Sequence, residues 1–343
     1  MFSIALTTLS SLVVALIGFT LWKVREVEAR HSPSGNFVAV PGGRLHYVSR
    51  LPAGAGGRVV LLIHGASGNS LDMVVPLADK LTEKGFRVIA FDRPGLGWSD
   101  RMAAETPLLQ ADAISAGLRA LGPRGVIVVG HSLGGAVAES LALDHADMVE
   151  GLVLISTVSH PWPGGAVDAF YKVAATPVLG DAFAWLLATP FSAALMERGI
   201  AAVFSPQSPP VNYAETTGLE LVLRPSRFTA NARDVSGLYD FVTGQAPRLA
   251  GIGAPTVVIA GDRDDIVLTN VHSVGSARDI PGATLELLPG VGHSPHWTRP
   301  DTIIDAIMKI ANVAAKDGVT QRSGAFPRAP SHPVGQVNED NDK

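Results

Sequence analysis

The amino-acid sequence predicts an α/β fold, and three observations carry that expectation. Short aliphatic and β-branched runs, Val59–Ile63, Val88–Phe91 and Val126–Val129, read as buried strands. Each stops at a glycine-bearing loop: His64-Gly65-Ala66, Asp92-Arg93-Pro94-Gly95-Leu96-Gly97 and Gly130-His131-Ser132-Leu133-Gly134. The third loop opens directly into an alanine-rich helical stretch, the strand-to-helix alternation that α/β units require. With 343 residues, 47% of them hydrophobic, the chain can build one large core and still carry an insertion.

In chain order, residues 2–22 come first and hold no charge. As a helix rising about 1.5 Å per residue they would reach across a hydrocarbon core of about 30 Å. Trp22 followed by Lys23 and Arg25 has the character of an interfacial anchor. A cleaved signal peptide is the competing reading. Against it, the run is longer than a usual apolar region, no basic residue precedes it, and it ends without a small-x-small site. Residues 1–22 are therefore expected to form a single-pass membrane anchor, 23–36 a juxtamembrane linker and 37–315 the folded body. Lys23, Arg25 and Arg30 follow the span, so the positive-inside tendency puts the body on the cytoplasmic side, for instance of a bacterial inner membrane.

The segment around Ser132 carries the chemistry. A serine at the tip of a sharp strand-to-helix turn, a nucleophile elbow, projects its hydroxyl clear of the sheet. Strand and helix backbones approach closely there, and Gly130 and Gly134 supply the room two residues either side. The Leu133 N–H stands at a helix N-terminus, where it can donate to a developing oxyanion. The bland alternative is a glycine-bordered turn with an incidental serine; the strand before and the helix after argue against it.

A serine hydroxyl needs a histidine within reach and an acid to orient it. Two later strand runs lead into polar turns that offer both. Thr256–Ala260 passes through Gly261 to Asp262-Arg263-Asp264-Asp265, and Leu285–Leu288 passes through Pro289-Gly290-Val291-Gly292 to His293. The three aspartates are open candidates from the residues alone, and each also reads as a solvated turn residue. His293, directly after the Gly-x-Gly turn, is preferred to His296, whose simpler reading is a loop histidine beside Trp297.

The His64-Gly65 stop, the Gly/Pro loop after Phe91, the elbow and the two C-terminal segments, in this order, resemble the α/β-hydrolase superfamily over roughly residues 37–315. The resemblance implies the α/β-hydrolase fold: a mostly parallel central sheet flanked by helices, with a helical cap insertion at about 158–248. It implies the chain order nucleophile, acid, base, and it aligns Asp264, three positions after Gly261, with the acid. Some members carry the acid one strand earlier, but after Gly151–Ser156 no carboxylate occurs until Asp168. The second oxyanion donor becomes the Ala66 N–H, with Ser67 next in line, while His64, Asp92 and Arg93 read as residues that fix the surrounding loops. Thr298 stands where relatives often have a glutamate, a position outside the triad.

Relatives that open epoxides or displace halides use an aspartate nucleophile, so Ser132 points instead to acyl transfer. The expected protein is a carboxylesterase or lipase-like serine hydrolase, with Ser132, His293 and Asp264 as triad and a small or medium apolar ester as substrate. Two alternatives stay open. One is hydrolysis of a carbon–carbon bond in a vinylogous diketone, for which Arg224 or Arg227 would hold a dienoate carboxylate; the other is a non-catalytic binding protein. Trp162, Phe170, Tyr171, Phe183, Trp185, Phe191 and Phe204 could line a pocket, although packing of the cap is the simpler role for any one of them. No metal or organic cofactor is implied: cysteine is absent and the histidines are scattered. A net charge of −4 without charge blocks gives no reason to expect nucleic acid. Residues 316–343 are polar and expected to be disordered.

Overall fold

The computed structural model describes residues 2–316 apart from 54, 55, 104, 166, 168 and 191. The expected disordered tail lies outside the described residues from 317 onward. Helix α1, Phe2–Arg30, is long and apolar enough to cross a membrane, a test that a signal sequence also passes. It does not end at Trp22. The stretch expected as a linker stays helical to Arg30, because it lacks glycine and proline and Glu26 pairs one turn away with both Lys23 and Arg30.

Strands β1 (Asn36–Val40), β2 (Gly43–Arg50), β3 (Val59–Ile63), β4 (Arg87–Phe91), β5 (Val126–His131), β6 (Val149–Ile155), β7 (Thr256–Gly261) and β8 (Thr284–Leu288) form one sheet. Their order is β1-β2-β4-β3-β5-β6-β7-β8. The hairpin β1–β2 and the β2–β4 pair are antiparallel; every other pairing is parallel. Helices α2 (Ser70–Glu83), α3 (Pro107–Leu121) and α4 (Leu133–Asp144) make the crossovers among the first parallel strands. Between β6 and β7 lie α5 (Ala169–Ala175), α6 (Leu179–Phe183), a π-helical turn (Ala184–Ala188), α7 (Ser192–Phe204), α8 (Tyr213–Thr217), α9 (Pro225–Ser236) and α10 (Leu238–Gln245). Helices α11 (Ser273–Asp279), α12 (Pro295–Thr298) and α13 (Pro300–Lys316) complete the described residues.

The strand period explains why the central strands read as unbroken apolar runs. Val59, Leu61 and Ile63 of β3 pack with Ile114 and Leu118 of α3 and Val137 of α4, whereas Val60 and Leu62 pack on the other face with Leu77 of α2 and Ile307 of α13. Helix ends follow local chemistry. Thr106 accepts the Leu109 N–H at the start of α3, Pro107 takes the first helical position, and Gly122 closes the helix at φ 92°.

The second half of α1 lies against the β6–β7 insertion. The Thr20 hydroxyl donates to the Trp185 carbonyl at 2.7 Å, Val27 is buried, Arg224 donates to Glu28, and Arg30 pairs with Glu220. Arg224 also stacks 4.6 Å from the Trp98 ring, whose Nε1–H reaches the His31 carbonyl.

Candidate active site

Ser132 bridges β5 and α4 at φ 53° and ψ −122°, a conformation that L-residues avoid. Its surroundings impose it. The Ser132 N–H donates to Ile155 at 2.9 Å, and its carbonyl accepts from Gly135 and Val158 at 2.9 and 3.2 Å. A Cβ on Gly130 would sit 2.4 Å from the Gly134 carbonyl oxygen, and one on Gly134 would sit 2.4 Å from that of His64. Both flanking glycines are therefore required by contact.

The structure brings Ser132, His293 and Asp264 together. His293 lies 2.8 Å from Asp264 through Nδ1 and 3.0 Å from the Ser132 Oγ through Nε2. A carboxylate only accepts, so Nδ1 carries the proton and Nε2 offers its lone pair to the serine hydroxyl. Asp264 is buried and held by the Ile266 and Val267 N–H groups, at 3.0 and 2.9 Å, on its other oxygen. Asp262 and Asp265 are exposed, and Asp262 accepts the Gly290 N–H instead. His296 does not reach Ser132; its ring packs on His131 with centroids 4.3 Å apart.

The two amides singled out in the sequence, those of Ala66 and Leu133, find no protein acceptor among the described residues. Ser67 is already engaged: its N–H donates to Asn231 Oδ1 at 2.6 Å, and Asn231 Nδ2 donates to Ser67 Oγ at 3.0 Å. Behind this loop, the fully buried Arg93 donates to the His64 and Gly65 carbonyls, both at 3.1 Å, and pairs with Asp234 at 2.8 Å. Removing either charge of that pair would strand the other in the interior, a loss of roughly 3–5 kcal/mol. The Arg93 N–H donates to His64 Nε2, which leaves the His64 proton on Nδ1, donating to Gly65. Burial and the Arg93 charge draw the His64 imidazole down to about 4, so it stays neutral and braces the loop.

Sequence reasoning missed a buried polar group beside the nucleophile. Asp72 on α2 accepts from Tyr213 at 2.8 Å and Trp297 at 2.9 Å, and lies 3.3 Å from His296 Nε2. Burial alone would raise its carboxyl, but His296, then His131 and the Trp297 donor, outweigh burial and hold it well below the usual range. His131 donates from Nε2 to the His293 carbonyl at 2.9 Å, fixing the loop that carries His293. Burial, then the neighbouring His296 and His293, press the His131 imidazole well below its ordinary value. Asp72, His131 and His296 place donor atoms within 4.8 Å of one another, a set that could hold a metal ion. The sequence hides this group, since Asp72 and His296 are 224 positions apart.

A second hydroxyl–imidazole–carboxylate chain runs Ser159–His160–Asp279, at 2.7 and 2.9 Å. Ser159 is buried, its hydroxyl donates to the His272 carbonyl, and it is not among the residues that line the cavity at Ser132. That cavity, of about 300 Å³, is lined by Ala66, Ser132 and His293 below and by Phe170, Tyr171 and Phe228 of the insertion above. Of the other aromatic residues singled out, Trp162 packs edge-on to Tyr239, Phe204 packs against Tyr213, and Phe183 supports Phe170. Trp185 meets α1 through its carbonyl, and Phe191 lies outside the described residues.

A family model described as alpha/beta hydrolase fold matches residues 58–300, and the chain belongs to that family. It is 28% identical over 270 residues to a pimeloyl-(acyl-carrier protein) methyl ester esterase of Edwardsiella ictaluri, covering 76% of this chain and 95% of that one. Identity is 25% over 291 residues to a 2-hydroxy-6-oxo-6-phenylhexa-2,4-dienoate hydrolase of Burkholderia cepacia, covering 80% and 95%. A solved thermophilic esterase from Thermogutta terrifontis superposes with a TM-score of 0.63 at 22% identity, over 82% of this chain and 99% of that one. That last likeness is one of fold.

Proposed function

We propose that the protein is a membrane-anchored serine hydrolase that cleaves small or medium apolar carboxylic esters through an acyl-enzyme. The observation that carries this reading is His293, bonded at once to Asp264 and Ser132 at the floor of a largely apolar cavity. Ser132 attacks the ester carbonyl while His293 Nε2 takes the hydroxyl proton, and Asp264 holds the imidazolium that forms. The Leu133 and Ala66 amides stabilise the oxyanion. His293 then protonates the leaving alcohol, and the same groups activate water to release the acid.

The charged or titratable lining of the cavity consists of Asp72, His131, His293 and the phenols of Tyr171 and Tyr213, with no arginine or lysine among the described lining residues. An uncharged substrate fits that wall. A dienoate would need a cation, and Arg224 is already committed to Glu28 and to the Gly97 carbonyl, which Arg227 also contacts. The carbon–carbon hydrolase alternative thereby loses the anchor expected for it. In this reading the anchor is α1, and Lys23, Arg25 and Arg30 after the span support a body on the cytoplasmic side.

The test is fluorophosphonate labelling of the detergent-solubilised protein alongside hydrolysis of p-nitrophenyl esters of increasing chain length. Wild type should label and turn over, and Ser132→Ala and His293→Ala should lose on the order of 10⁴-fold or more in kcat. Folded wild type that takes no label would sink the assignment.

A further inference from the structure

We infer that the β6–β7 insertion is itself seated in the membrane interface beside α1, so that the cavity draws its ester from the bilayer and the substrate is an acyl lipid. This rests on the reading of α1 as a membrane anchor, and it adds a depth, a surface and a substrate class to that reading.

Depth comes from one contact. The uncharged run of residues 2–22 matches a hydrocarbon core of about 30 Å, and the first charge after it is Lys23. Thr20 therefore lies roughly 4–5 Å, three residues, on the membrane side of that charge. Its hydroxyl donates to the Trp185 carbonyl at 2.7 Å, and its side chain is fully covered. Whatever touches Thr20 shares its depth, so the π-helical turn 184–188 stands at the edge of the hydrocarbon. Two to three turns beyond Thr20 along α1, Glu28 meets Arg224, and Arg30 meets Glu220, which places those charged contacts on the aqueous side.

Around that turn the surface is apolar. Val178 is 80% exposed, Leu179 56%, Leu187 46% and Val173 40%. Between Lys172 and Glu197 the chain carries a single charge, Asp181. Apolar side chains gathered in this way, next to a helix of membrane-spanning length, form a surface for lipid rather than for water. Lys172 extends from the border of the patch, where a long cationic side chain reaches headgroup phosphates.

The same segment is the wall of the cavity. Ala188 of the π-helical turn lines it, Phe170 and Tyr171 of α5 line it, and Phe183 of α6 packs on Phe170 and Phe228. Lipid on one side and Ser132 on the other are thus separated by a single layer of helices. An acyl chain passing between them keeps its apolar surface covered throughout, whereas a route from water would expose it.

The chain contains no cysteine, so single cysteines report cleanly. Full-length protein carrying Leu179→Cys or Leu187→Cys, labelled with bimane, is reconstituted in phosphatidylcholine vesicles containing doxyl-labelled lipid. Leu12→Cys in α1 reports the anchor, and Leu287→Cys, 47% exposed on edge strand β8, reports water. Quenching at 179 and 187 should resemble that at 12 and exceed that at 287 at least twofold. Quenching at 12 with none at 179 or 187 would overturn the docking and leave the anchor standing. No quenching at 12 would remove the anchor and the docking together.

The substrate class has its own readout. Leu179→Asp/Leu187→Asp, which alters no cavity-lining residue, should lose at least tenfold on vesicle-borne diacylglycerol and less than twofold on soluble p-nitrophenyl butyrate. Equal effects on both would overturn the lipid route. A wild type inert to both esters would remove the hydrolase reading while the quenching still reports the docking.

Discussion

Asn231 reaches from α9 to hold the loop that bears the Ala66 amide, with one bond to the Ser67 N–H and one to its hydroxyl. An oxyanion donor is useful only if it is aimed before the charge develops, so a residue that fixes this loop acts on kcat rather than on substrate affinity. Asn231→Ala should lower kcat on a p-nitrophenyl ester about tenfold with KM changed less than twofold. Asn231→Asp keeps the acceptor for Ser67 and should lose less. A change confined to KM would show that Asn231 serves the pocket wall instead. At this scale the sequence reveals residues through local constraint: Gly130 and Gly134 announce the elbow because a Cβ at either would strike backbone. Asn231 and Asp72 announce nothing, because their partners Ser67 and His296 lie 164 and 224 positions away.

Helix α4 carries an unusual burden, a carboxyl at its buried midpoint. Glu139 accepts from Ser276 of α11 at 3.0 Å and from Gln245 of α10 at 3.2 Å, joining three elements. Burial pushes its carboxyl up to about 8, against the pull of those two donors. An unfolded glutamate titrates near ~4.3. Across that window the folded chain holds a proton that the unfolded chain has released, so stability is full below the lower value and falls as pH rises towards the upper one. Glu139→Gln keeps the shape and cannot ionise. Its stability relative to wild type, measured by urea unfolding, should rise between pH 5 and pH 9 by on the order of a few kcal/mol. A constant difference would mean that Glu139 does not titrate there. Elements were the most legible level of this chain, since β3, β5 and β7 are covered on both faces and so appear as continuous apolar runs. The extent of α1 was harder to read. Charged residues after Trp22 resemble a linker in isolation, and beside the local Glu26 pairs it is Glu220 and Arg224, far along the chain, that tie Arg30 and Glu28 to the body.

For the whole molecule, α1 is continuous with the folded body. A chain shortened to begin at residue 31 removes Val27 from its buried site and leaves Arg224 without Glu28. Such a chain should melt roughly 5 °C below one beginning at residue 20, a cut that keeps both contacts. Equal melting temperatures in detergent would show that this half of α1 adds nothing to stability. The insertion is also tied down from the side of the sheet. Asp234 pairs with Arg93, Thr229 accepts from Arg101, Tyr213 donates to Asp72, and Asn69 donates to the Thr217 carbonyl. Lifting α8 and α9 as a rigid flap would break all of these together with the Asn231 bonds. At about 1 kcal/mol for each neutral bond and about 2 kcal/mol for each charged one, that opening costs on the order of 10 kcal/mol, so the flap is closed in all but a very small fraction of molecules. Rotamer changes of Phe170, Tyr171 and Phe228, which line the cavity from the insertion, break none of those bonds and offer reactants a cheaper passage, so the insertion works as a turnstile and not as a hinged door. Turnover by this protein should then depend on the bulk of those three rings more than on any hinge.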